Sequence, residues 1–105
     1  MPLTHDFKET VRARAQRDPD IRQALQREAV ECVIHGDLPT GKAELRDYVN
    51  ATAGFQDLER RTDIPAKSLM RMLGPAGNPS AANLSNILSA LQQAEGVSFE
   101  LAFKR

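Results

Sequence analysis

Glycine and proline punctuate this chain so often that only short elements can form. Breaks fall at Asp18-Pro19-Asp20, at Gly36 to Pro39, at Gly54, at Asp63-Ile64-Pro65, along Gly74-Pro75-Ala76-Gly77-Asn78-Pro79 and at Gly96. Between these breaks the apolar residues recur at spacings of three and four, the period of an amphipathic helix. Phe7, Val11 and Ala15, behind Thr4 as N-cap, predict a helix over roughly 5–16. Asp18 then caps a second helix, with Pro19 at its first position and Asp20 favouring the positive end of its dipole. Its stripe is Ile21, Leu25, Ala29, Cys32 and Val33, and Gly36 ends it, with Pro39 just beyond. Thr40 is expected to cap a third helix over roughly 41–52, with Leu45, Tyr48, Val49 and Thr52 on one side. Phe55 to Thr62 and Ala66 to Leu73 read as two short helices around a tight turn, and Ser80 caps a last one carrying Leu84, Ile87, Leu88 and Leu91.

After Gly96 the period changes. Val97, Phe99, Leu101 and Phe103 alternate with Ser98, Glu100, Ala102 and Lys104, which predicts a β-strand. No other segment alternates in this way, so the strand has no mate within the chain. It is expected either to cap the helices or to pair with another copy or with a partner's sheet. The four apolar residues Val97, Phe99, Leu101 and Phe103 are the expected dimer or partner contacts.

With 105 residues, 41% of them hydrophobic, the chain is long enough for one compact core. Trp is absent and aromatic residues reach only 5%, so the core is aliphatic and a large aromatic ligand cage is excluded. No apolar run approaches the roughly 18 residues of a membrane span. Cys32 is the single cysteine, no secretory leader is read at the start, and a reducing cytoplasm is the expected compartment. Fourteen cations balance fourteen acids. Zero net charge weighs against a polyanionic partner, but a local basic face can exist inside a neutral total.

The segment from Phe55 to Leu73 is the most informative. Two short helices joined by a turn of three or four residues form the reading unit of many repressors. Phe55 and Leu58 form the inner face of the first, Ile64 plugs the turn, and Leu69 and Met72 line the inner face of the second. That leaves Ala66, Lys67, Met70 and Arg71 outward, with Ser68 at the edge. Met70 is suited to a thymine methyl or to partial burial. From Ile64 to Gly77 there are two cations and no acid, while Asp57, Glu59 and Asp63 flank the unit and Arg60 and Arg61 are candidates for further phosphate contacts.

Gln56, Leu58, Ile64 and Leu69 resemble the Xre/Cro-like helix-turn-helix pattern. The run from Ser68-Leu69 to Gly77-Asn78-Pro79-Ser80 resembles more closely the HigA-like addiction-module antidote proteins, over about residues 40–101. Glu59 departs from the small residue usual there, and Asp63 stands where the turn usually has Gly. The resemblance implies an all-α, compact helical bundle containing a Cro/repressor-like helix-turn-helix. Around it stand an N-terminal helical extension over 1–39 and a C-terminal strand within the 40–105 unit. It also implies a homodimeric autorepressor and antitoxin that binds double-stranded operator DNA and a RelE/HigB-like RNase toxin. Carried over by position, Gln56 binds phosphate, Lys67, Ser68 and Arg71 approach the groove, and the loop at Asn78 meets the DNA backbone.

Two other classes stay open. One is a protein-interaction module with a helix-turn-helix that does not bind DNA. The other is a small enzyme using Cys32 and His35; it is disfavoured because Cys32 falls on an apolar stripe and no triad, phosphate loop or ligand cluster accompanies it. No cofactor and no metal is expected.

Overall fold

The computed structural model describes residues 13–105. Most of the helix expected over 5–16 lies outside the described residues; the part that is described, 13–17, is helical and is labelled α1. Five further helices follow: α2 (Pro19–Ile34), α3 (Leu38–Ala51), α4 (Gly54–Thr62), α5 (Ala66–Met72) and α6 (Ala81–Glu95).

Local chemistry sets each boundary. Asp18 caps α2, its carboxylate accepting from the Asp20 amide at 3.0 Å, with Pro19 in the first turn. The third helix starts earlier than expected. Asp37, not Thr40, is its cap, and the Thr40 amide donates to the Asp37 carboxylate at 3.3 Å. Pro39 therefore opens α3 instead of terminating α2, because a missing N–H costs nothing in a first turn. Ser80 caps α6 by accepting from the Asn83 amide at 3.1 Å, and Gly96 closes that helix in the left-handed conformation.

The helices pack around an aliphatic centre in which Leu45, Leu58, Leu69, Leu73 and Ile87 are buried. α2 lies along α3, and Gly41 allows the close approach: a Cβ there would stand 2.7 Å from Val33 Cγ2. Ala29 of α2 joins the same core as Leu45 and Tyr48 of α3. A polar junction ties three helices together. Glu95 of α6 accepts from Arg22 of α2 at 2.8 Å and from the Tyr48 hydroxyl of α3 at 2.5 Å, while Arg22 Nη1 also donates to Ala15 O at 2.8 Å. Burial first, and then the bond to Glu95, push the Tyr48 hydroxyl well above its ordinary pKa, so it stays a donor.

The expected C-terminal strand is not formed; among the described residues there is no strand. A strand needs a ladder, and this chain offers the segment none. Instead, Val97 N donates to Gln92 O and Phe99 N to Gln92 Oε1, at 3.1 and 2.8 Å. Val97 and Phe99 are half-buried, whereas Leu101 is 81% exposed and Phe103 fully so. No helix of the described residues is long and apolar enough to cross a membrane.

α2 and α3 also bring acids together. Glu44 is pushed up to about 6 by burial, and then by its hydrogen bond to Glu28 and that residue's charge, with Asp47 adding a smaller push. The folded state thus holds this proton more tightly than the unfolded chain does. Stability should fall as pH rises from about 4.5 to about 6, being greatest with Glu44 protonated. Urea titrations across that window should show a shallower pH slope for Glu44→Gln than for the parent chain; identical slopes would assign the dependence elsewhere.

Candidate nucleic-acid interface

α4 and α5 are joined by Asp63, Ile64 and Pro65. Asp63 takes the left-handed conformation, φ 63° and ψ 22°, which Asp tolerates better than most residues, and its amide donates to Glu59 O at 2.8 Å. The turn is held from both sides. Thr62 Oγ1 donates to Leu58 O at 2.8 Å and accepts from Ile64 N at 3.2 Å. From α6, the Asn86 amide donates to Thr62 O at 3.0 Å. Ile64 is half-buried against the core.

α5 has seven residues, too few to be stable as an isolated helix. Leu69 and Leu73 anchor it in the core, and both of its ends are tied by side chains from other helices. At the start, Glu59 of α4 reaches across the turn, and its Oε1 accepts from the Ala66 amide at 2.6 Å. An acid that departs from the resembled pattern is thus the cap that Pro65 cannot provide. At the end, two cations of α3 meet the exposed carbonyls. Lys42 Nζ donates to Gly74 O at 3.1 Å and Gly77 O at 2.5 Å, and Arg46 Nη1 donates to Leu73 O at 2.6 Å. Lys42 is buried, and its positive charge sits where the helix dipole is negative. Gly77 packs so tightly that a Cβ there would meet the Arg71 and Met72 carbonyl oxygens.

Of the expected contact residues, Lys67, Arg71, Gln56 and Asn78 are exposed, Met70 is 46% exposed, and Ser68 is half-buried. Ala66 is not outward. It is 5% exposed and belongs to the core, because it lies three residues before Leu69 and so shares that residue's inner face. Lys67 and Arg71 have no acidic partner among the described residues. Arg60 and Arg61 do: both pair with Asp57, at 3.1 and 2.8 Å, and the bond from Arg61 above all holds the Asp57 carboxyl below its usual range. One carboxylate thus serves two flanking cations, whereas the two cations of α5 have none.

Cys32 is half-buried, as Val33 beside it is. The fully buried positions of α2 are Ala29 and Gln26, which donates to Leu91 O at 2.9 Å, while Cys32 is turned to Glu44, its Sγ 3.9 Å from Oε2. Partial burial and the charges of Glu44, Asp37 and Glu28 raise the thiol pKa, the reverse of what a nucleophile needs. His35 is exposed at the end of α2.

No family model, curated protein or solved structure matches this chain.

Lys42 and Arg46 were not among the expected functional residues, yet they fix α5. One signal was available: two cations four apart fall on the same side of α3 as Leu45 and Val49. Replacing Glu59 by Ala should cost about 1 kcal/mol of stability through loss of the cap. Lys42→Met, which leaves Gly77 O without its donor while Gly74 O keeps the Gly77 amide at 3.0 Å, should cost about 1–3 kcal/mol. Denaturant midpoints check both, and changes below about 0.5 kcal/mol would place α5's anchorage in its apolar contacts alone.

Proposed function

We propose that this chain is a sequence-specific DNA-binding regulator that places α5 in the major groove. The observation that carries the reading is the exposed face of Lys67, Met70 and Arg71, free of acid from Ile64 to Gly77, on a helix tied at both ends. A short, fixed helix with uncompensated cations suits groove reading: Arg71 can address guanine edges with two hydrogen bonds, and Lys67 a phosphate. Gln56 at the start of α4 and Asn78 in the following loop would bind the backbone, with Ser68 at the edge of the contact. The likeness of the Ser68–Ser80 run to HigA-like antidotes extends the proposal to an antitoxin and autorepressor. Such a protein would be homodimeric on a two-fold operator, with half-sites about 34 Å apart, and would bind a RelE/HigB-like RNase toxin through another surface.

Zero net charge together with the exposed side chains of Leu101, Phe103 and Ile34 favours a second reading, a module that binds a partner protein without specific DNA contact. Gel shifts with the DNA upstream of the protein's own gene separate the two. The DNA reading expects a shift at low salt that Arg71→Ala weakens roughly tenfold or more on the cognate site but little on random DNA. Equal loss on both would reduce Arg71 to a phosphate contact. The absence of any shift at micromolar protein would favour the partner-binding module.

A further inference from the structure

Residues 100–105 lie outside the packed body, and every one of them is exposed. Leu101 is 81% exposed and Phe103 fully so, and Glu100, Leu101, Ala102 and Lys104 form one wall of a groove whose other wall includes Val30 and Ile34 of α2. Among the described residues no hydrogen bond engages the backbone of residues 100–104, which leaves it free to serve as a template for a further strand.

The side chains select the strand. In an antiparallel pair of identical segments, residues whose numbers share a fixed sum face one another. If Ala102 faces Ala102 of a second copy, Glu100 faces Lys104 twice and Leu101 faces Phe103 twice. Opposite charges then meet on one side of the ribbon, apolar side chains meet on the other, and the smallest side chain lies on the two-fold axis, where identical groups crowd. Moving the axis to residue 100 would place Glu100 against itself, and moving it to residue 101 would leave Glu100 facing Ala102. We propose that residues 100–104 bind a second copy of this chain as an isologous, antiparallel two-stranded ribbon centred on Ala102. Its apolar side lies over the α2 groove beside Val30 and Ile34. A two-stranded ribbon alone is marginal in water, and that apolar cover supplies what the ladder lacks. The pairing stands on these C-terminal residues alone and survives if the DNA reading fails.

Sedimentation of the 105-residue chain at low salt is the test. A concentration-dependent dimer is expected, and Leu101→Ser with Phe103→Ser should abolish it while leaving the thermal melt of the body in place. Glu100→Lys and Lys104→Glu should each weaken the dimer roughly tenfold or more, since two attractive cross-strand pairs become repulsive. The double exchange, with net charge unchanged, should restore it. A monomer at every accessible concentration overturns the proposal. So does a dimer indifferent to the single exchanges, or one that the double exchange leaves as weak as the singles.

Discussion

The exposed face of Lys67, Met70 and Arg71 depends on how a helix of seven residues is kept in place. Hydrogen bonding within α5 is too limited to hold it, since nucleation cost dominates at that length. The fold supplies three external restraints. Leu69 and Leu73 fix its inner face, Glu59 accepts from its first amide, and Lys42 and Arg46 donate to the carbonyls that follow its last turn. Apolar burial alone would leave α5 free to rotate and slide. The polar ties at opposite ends remove those freedoms and thereby fix which side chains face solvent.

The helices are legible in the chain because apolar periodicity and capping chemistry agree. Asp18 with Pro19, Ser80 and Gly96 mark ends that the structure keeps. Asp37 is less legible: Thr40 offers an equally good cap, and only the tolerance of a first turn for Pro39 decides between them. Ala66 shows the limit of face assignment on a short helix, where one small residue at the boundary can be turned either way and the core takes it. The alternation after Gly96 is real, and Val97 and Phe99 do turn partly inward. A period of two states only which side chains share a face, and backbone pairing needs a second segment that the single chain lacks.

The charge pattern has the same character. A total of zero conceals an uneven arrangement. Arg60 and Arg61 share the one carboxylate of Asp57, Arg22 is met by Glu95, and Lys42 is turned into the interior, whereas Lys67 and Arg71 are among the cations with no acidic partner among the described residues. Spacing on the sequence shows which charges are neighbours along a helix. It does not show which are satisfied by another helix, and Glu95, far from Arg22 in sequence, is the clearest instance.

The burial of Lys42 has an electrostatic consequence beyond the loop that it holds. Neutral carbonyls carry no net charge, so the enclosed cation still counts in full in the field felt at a distance, although its head group is held by the loop and faces no solvent. It lies against the carbonyls that follow α5, and so adds to the positive potential at the end of the helix that carries Arg71. A polyanion approaching that end would feel the internal lysine without ever touching it.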